Sequence, residues 1–240
     1  MSVPSPFDDP TFRLPTDMTL LRDQASERFQ WHWAPIRVAD QPWKVATASD
    51  PDGMLIRACE RQDAGEDGVI DPFWAAVWRA AAGLDHFLER VPLSDQRVLE
   101  LGCGTGRAGL SAALRGAHVT LTDGVDDPLW LVQMTVHPIL DQCVVDRLRF
   151  GIDRRDEPPF PIILGSDVTY LRQLWPELMQ TIDQHLTDDG VVYLSDPFRV
   201  IANEFREWMR DKPWSYQEHC VCLDDDPEHP IRIMELHRKR

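Results

Sequence analysis

From residue 97 onward, short apolar runs alternate with longer stretches whose apolar positions recur every three or four residues. The first pattern is that of buried strands, the second that of amphipathic helices. Together they predict strands at 97–101, 117–122, 147–151, 161–166 and 190–195, separated by helices at 107–115, 127–141, 171–185 and 202–210. Gly116 closes the first of these helices. His137-Pro138 should kink or end the second, because proline lacks the helical N–H and crowds the preceding turn. Two last stretches, 216–223 and 231–237, alternate polar with apolar residues and have no helix between them, as an antiparallel pair would. The alternation implies an α/β fold: a mostly parallel sheet with helices on both faces, followed by a C-terminal antiparallel hairpin.

The N-terminal part reads differently. Residues 1–28 mix Pro, Asp, Thr and Ser and are expected to be a loosely held arm. Over 29–60, polar and apolar residues alternate around Trp31, Trp33 and Trp43, which predicts a small β extension packed on the main domain. An acidic, glycine-containing linker at 61–71 leads into that main domain, 71–240. Asp71-Pro72 reads as the cap and first turn of a helix running to about residue 90, with Trp74, Trp78 and Ala81-Ala82 on one face.

Of the 240 residues 43% are hydrophobic, enough for one substantial core, and the formal net charge is -15. So acidic a surface repels a phosphate backbone and argues against a nucleic-acid partner; it suits a basic partner, or solubility alone. No apolar run approaches the ~20 residues of a spanning helix, so no membrane is expected. Residues 1–15 carry acids and prolines where a signal peptide has a basic patch and an apolar run. The cysteines, Cys59, Cys103, Cys143, Cys220 and Cys222, include no CxxC pair, which fits a reducing cytoplasm without a disulfide framework. The histidines have no metal-binding spacing, and no metal is expected. Nothing in the chain specifies an oligomeric state.

Candidate chemistry begins at Val98-Leu99-Glu100-Leu101-Gly102-Cys103-Gly104-Thr105-Gly106, where a strand meets a helix. Glycines at alternate positions let the backbone approach a ligand closely and turn sharply, and the helix behind them offers unpaired N–H groups. A pyrophosphate or an amino-acid carboxylate could use those donors. Gly104, Gly106 and Gly109 also satisfy the dinucleotide fingerprint. Glu100 tips the choice: its charge at the carboxyl end of the strand repels a pyrophosphate and suits a ligand with an α-ammonium group. Asp123, about 20 residues beyond Gly102, is placed to accept hydrogen bonds from ribose hydroxyls, or to cap the next helix.

Glu-x-Gly-x-Gly-x-Gly closely resembles the signature of the class I, seven-β-strand, S-adenosylmethionine-dependent methyltransferases. Three further segments resemble the lysine methyltransferase-like group of that class. They are the aromatic-rich Asp71-Pro72-Phe73-Trp74-Ala75-Ala76-Val77-Trp78, and Gly165-Ser166-Asp167-Val168-Thr169-Tyr170 with its Asp-x-x-Tyr element. The third, Leu194-Ser195-Asp196-Pro197-Phe198-Arg199, is similar to the Asp-Pro-Gly-Arg of the electron-transfer-flavoprotein β-subunit lysine methyltransferase, with Phe198 in place of the glycine. The resemblance covers about residues 72–199.

It implies a Rossmann-like seven-stranded sheet, S-adenosyl-L-methionine as cofactor, and N-methylation of a protein lysine or another amine. The cofactor site it implies comprises Trp78, Glu100, Gly102, Gly104, Gly106, Asp123 and Asp153. Asp153 would read the adenine amine, with a salt-bridged loop beside Arg154 and Arg155 as its other role. Asp167 and Tyr170 are the candidate catalytic pair, holding an ammonium and orienting the amine, against plain roles as cap and packing. Trp74, Asp196 and Arg199 would border the substrate, the last two as an ion pair at the rim. Two other readings use the same motifs: a small-molecule N- or O-methyltransferase with the N-terminal tryptophans as a lid, and a non-catalytic cofactor-binding scaffold.

Overall fold

The structure, a computed structural model, describes residues 13–239. The chain enters it through helix α1 (Met18–Arg28), a hairpin of β1 (Trp31–Val38) and β2 (Gln41–Ala48), and helix α2 (Pro51–Asp63). Asp17 caps α1 by accepting from the amides of Thr19 and Leu20, and Asp50 with Pro51 starts α2. The two hairpin-turn residues, Ala39 and Asp40, both have positive φ (49° and 58°), as a two-residue turn between twisted strands demands.

Two expectations change here. From residue 18 the anticipated arm is a helix, because Leu21 and Ala25 bury against Leu131 and Met134; residues 1–12 lie outside the described residues. Residues 51–63, divided above between a β extension and a linker, form α2.

The helix expected over 71–90 is broken. A 3₁₀ turn at Phe73–Ala75 gives way to extended backbone, and α3 (Arg79–Phe87) starts only after Trp78. Asp71 does not cap it; its carboxylate accepts from Gln62 Nε2 at 3.0 Å. Trp74 and Trp78 therefore do not share a helical face. Trp74 packs on Phe29, ring centroids 5.3 Å apart, and Trp78 turns elsewhere.

The main sheet follows: β3 (Arg97–Leu101), α4 (Arg107–Leu114), β4 (His118–Asp123), α5 (Asp126–Val136), β5 (Cys143–Arg147), β6 (Phe160–Ser166), α6 (Trp175–His185), β7 (Leu186–Asp196), α7 (Val200–Met209), β8 (Trp214–Leu223) and β9 (Asp226–Arg238). Its seven strands lie in the order β5-β4-β3-β6-β7-β9-β8. All pairings among β3 to β7 are parallel, and β9 runs antiparallel to both β7 and β8. This is the Rossmann-like sheet with its C-terminal hairpin. The third strand lies earlier than the expected 147–151, because β5 is a half-exposed edge strand whose Asp146 and Arg147 dilute the apolar signal. Helix α5 ends at Val136, and a 3₁₀ turn carries His137-Pro138.

Alternate strand residues feed two cores. Val98, Ile162, Leu164 and Ile233 meet the α3–α4–α5 face; Leu99, Leu101, Ile163 and Leu194 meet α6 and α7. Each fully buried Leu or Ile stabilises the fold by about 1.5–3 kcal/mol relative to an exposed one. The chain runs outward from β3 to β4 and β5, then returns to β6 on the other side of β3. Sheets of this kind bind ligands at the carboxyl ends of the strands where that reversal occurs. Among the described residues no helix is long and apolar enough to cross a membrane.

Candidate functional site

Four loops converge at the carboxyl ends of β3, β4, β6 and β7, and all of the sequence-derived site residues except Trp74, Trp78 and Asp153 stand on or beside them. The turn after β3 carries Gly102, Gly104 and Gly106, all at positive φ (59°, 50° and 73°), a backbone that residues with a Cβ seldom adopt. The amide of Gly106 donates to the Cys103 carbonyl at 2.7 Å and holds the turn closed. A Cβ on Gly104 would meet only the Trp74 backbone, at 3.7 Å, so the loop lies in ordinary van der Waals range of the Phe73–Ala75 turn.

Glu100 is fully buried below this loop. Its Oε2 accepts from the Gly109 amide in the first turns of α4 at 2.9 Å, and its Oε1 has no hydrogen-bond partner among the described residues. Burial pushes its carboxyl up to about 8, against the pull of the Gly109 amide. The first turns of α4 are thus already served by an acceptor oxygen of Glu100 from β3, which leaves little there for a pyrophosphate. Asp123, buried at the end of β4, accepts from the Gly104 amide at 3.0 Å and from the Val125 amide at 3.1 Å, and so ties the second loop to the first. Burial raises its pKa as well.

Asp153 lies in the segment after β5. Its carboxylate takes three hydrogen bonds from Arg149 (the amide at 2.7 Å, Nε at 2.9 Å and Nη2 at 2.8 Å), and this pairing lowers its pKa. Its ion pair is made with Arg149 rather than with Arg154 or Arg155. The ring nearest the glycine loop on that side is Phe150, 3.8 Å from where a Gly102 Cβ would lie. Sequence reading passed over it because a single aromatic at a strand end is ordinarily core.

After β6, Asp167 adopts a left-handed backbone (φ 55°), with its amide on the Ser195 carbonyl at 2.8 Å. Its carboxylate, 6% exposed, is bound in bidentate fashion by Arg199: Nε to Oδ1 at 2.8 Å and Nη2 to Oδ2 at 2.7 Å. The guanidinium carbon lies 5.1 Å from the centre of the Trp78 ring, whose indole N–H donates to the Phe73 carbonyl at 2.7 Å. Phe73 in turn meets Tyr170 edge-on at 5.6 Å. Trp175 of α6 steadies this loop by donating to the Thr169 carbonyl at 2.9 Å. Burial and the charges of Asp123, Asp167 and Asp71 raise the Tyr170 pKa, so the phenol stays a neutral donor.

The rim ion pair anticipated between Asp196 and Arg199 is absent among the described residues. Asp196 is held by Arg232 of β9, with Nε to Oδ2 at 2.9 Å and Nη2 to Oδ1 at 3.0 Å, and Nη1 of Arg232 reaches Asn203 at 2.8 Å. Arg232 was the residue missed; its signal was one charge inside the apolar run Ile231-Arg232-Ile233. The N-terminal tryptophans pack against the main domain. Trp43 donates to the Thr135 carbonyl of α5 at 3.1 Å, and Trp31 and Trp33 pack with α1 and α5. A cavity of about 1000 Å³ opens beside Trp74, between α2 and the start of α5, with Phe29, Met54, Val125 and Asp127 in its wall.

Comparison with known proteins bears on the family and the fold. Residues 62–209 match the family model described as lysine methyltransferase. The chain is 39% identical over 139 residues to the protein N-lysine methyltransferase METTL21A of Danio rerio; the match covers 54% of this chain and 63% of that protein, just under two thirds of its length. It is 32% identical to the Mus musculus METTL21A over 75% of this chain and 82% of that one. It is 36% identical to EEF1A lysine methyltransferase 3 of Mus musculus, over 63% and 68%. Among solved structures, the fold is shared with a Thermus thermophilus 16S rRNA N2 G1207 methyltransferase, RsmC (TM-score 0.57, 17% identity, 88% of this chain and 51% of that one). It is shared also with the glycopeptide N-methyltransferase MtfA (TM-score 0.57, 13% identity, 66% and 96%).

Proposed function

Since the chain belongs to the lysine methyltransferase family, within the class I S-adenosylmethionine-dependent methyltransferases, we propose that it transfers a methyl group from S-adenosyl-L-methionine to the side-chain amine of a protein lysine. The observation that carries this reading is the position of Asp167: a nearly buried carboxylate beside Trp78 and near Tyr170, at the edge of the same crevice as the glycine loop. The relatives' names, which refer to protein lysines, support it, and the acidic charge of the chain suits a basic protein segment.

The residues fit this cofactor. Glu100 keeps an unpartnered buried oxygen below the glycine loop, a place for an ammonium rather than a phosphate. Asp123 retains lone pairs for ribose hydroxyls, and the positive φ of Gly102, Gly104 and Gly106 keeps the turn beside it free of side chains. When bound, the cofactor would supply a methyl carbon made electrophilic by its sulfonium. The protein's own part is then alignment and proton handling. Asp167 fixes the incoming nitrogen through an accepted hydrogen bond and passes its proton toward water. Tyr170 and Trp78, both partly exposed, wall the approach. We include a reducing, cytoplasmic setting in this reading, on the cysteine spacing of the sequence alone.

The test is to incubate the purified protein and methyl-labelled cofactor with cell extract. Label recovered as methyllysine from protein hydrolysate, and reduced at least tenfold by Asp167→Asn while S-adenosylhomocysteine still binds, is the expected result. Label only in the small-molecule fraction would move the substrate to that class. Cofactor binding without transfer to anything would leave the scaffold reading.

A further inference from the structure

We propose that Arg199 is an internal stand-in for the substrate's cation: its guanidinium occupies the seat that a primary ammonium takes, and only an amine able to displace it gains access to Asp167. The inference rests on the methyl-transfer reading, because it gives Asp167 to the amine.

The seat has the composition of an alkylammonium site. One carboxylate lies at its base, and the rings of Trp78, Phe73 and Tyr170 stand in series beside it, Phe73 touching the other two at 6.4 and 5.6 Å. An anion to balance charge and ring faces for the polarised N–H and C–H groups together bind cations well. In the structure the cation between carboxylate and indole is the chain's own. Arg199 satisfies both oxygens of Asp167 and lies over Trp78 at once. Asp167 is 6% exposed and Arg199 36%, so the arginine covers the acid from the solvent side.

The arginine arrives from a different element, the loop between β7 and α7, and its side chain is over a third exposed. Both sides of the pair rest on backbone that an L-residue adopts at a cost: Asp167 at φ 55° and Phe198, the neighbour of Arg199, at φ 56°. Such conformations gather at clamps and switches. While the pair is closed, Asp167 offers no net charge to an approaching ligand. A neutral or anionic molecule gains nothing by opening it, whereas a lysine ammonium replaces one cation by another at the same acid. Selection for a cationic side chain over neutral alcohols follows.

The rival role for Arg199 is a strut that holds Asp167 in place, and the two roles predict opposite signs. Protein labelled with ¹⁵N-tryptophan and ¹⁵N-arginine, saturated with S-adenosylhomocysteine, would be titrated with n-butylammonium chloride at constant ionic strength. The Trp78 indole signal, assigned with Trp78→Phe, reports occupancy. Arg199→Gln should bind butylammonium about tenfold tighter than the wild type, Arg199→Lys should fall between them, and Asp167→Asn should not bind it. Equal, weaker or undetectable binding by Arg199→Gln overturns the proposal. If that variant does not fold, the wild type decides alone: butylammonium should release the Arg199 Nε–H from protection against water exchange, and unchanged protection overturns it. Asp167-dependent transfer to protein lysine together with no gain in Arg199→Gln would sink this inference and leave the methyl-transfer reading standing.

Discussion

The carboxylate of Glu100 accepts a 2.9 Å hydrogen bond from the amide of Gly109, joining the end of β3 to the first turns of α4 directly beneath the glycine loop. The contact is close enough that Gly109 has no room for a side chain. A Cβ there would lie 2.4 Å from Glu100 Oε2 and 2.7 Å from Leu121 Cδ2. Gly109→Ala should therefore cost about 1–3 kcal/mol of stability, as an overpacked core position does, and should weaken S-adenosylhomocysteine binding by displacing the acid. Urea denaturation and calorimetric titration would check the two effects; unchanged stability would mean that α4 shifts freely on the sheet.

Glu100 also makes stability depend on pH. Its carboxyl is pushed up to about 8 in the fold by burial, while the unfolded chain holds it near the ordinary carboxylate value. Between those two values the folded state keeps a proton that the unfolded state releases, so stability falls as pH rises from about 4.5 to about 8, by a few kcal/mol in all. Glu100→Gln removes the titration. Its melting temperature should change less than the wild type's between pH 5 and 8, and the variant should gain on the wild type as pH rises. Parallel curves would show that the acid does not titrate in that window.

Asp123 links the two loops that flank the cofactor crevice. Asp123→Ala removes the acceptor for the Gly104 and Val125 amides and the carboxylate offered to ribose. S-adenosylhomocysteine affinity should drop by about 10- to 100-fold, or about 1.4–2.8 kcal/mol, with methyl transfer falling in step. Full affinity would remove Asp123 from the cofactor site.

Arg232 and Asp196 form a pair exposed by only 1% and 4%. Arg232→Met leaves a buried carboxylate unmatched and should destabilise by about 3–5 kcal/mol, whereas Arg232→Met with Asp196→Leu should recover much of the loss, since paired removal spares the uncompensated charge. A double-mutant cycle by denaturant unfolding measures the coupling. Additive losses would mean that the two side chains act independently.

Much of this protein was legible in the chain itself. The order of strands and helices, the glycine turn between β3 and α4 and the acids Glu100, Asp123 and Asp167 at strand ends follow from local properties: apolar spacing, glycine's access to positive φ, and the end of a buried run. The helical cover at α1 and α2 was not legible, because each presents few buried residues, Leu21 and Ala25 in one and Ala58 in the other. Nor was the break before α3, which pulls Trp74 and Trp78 apart.

Sequence alone thus determined that Glu100, Asp123 and Asp167 stand at strand ends beside a glycine turn, since strand ends and glycine turns are written within a few residues of each group. Only the tertiary structure decided how they pair. Arg199 lies three residues from Asp196 and yet binds Asp167, 32 residues away, while Asp196 takes Arg232, 36 residues away. The reason is the sheet order: β7 lies between β6 and β9, so the loops that end β6 and β7 emerge side by side and β9 runs back along the other side of β7. Adjacency across strands, which no spacing along the chain encodes, places each cation against its acid.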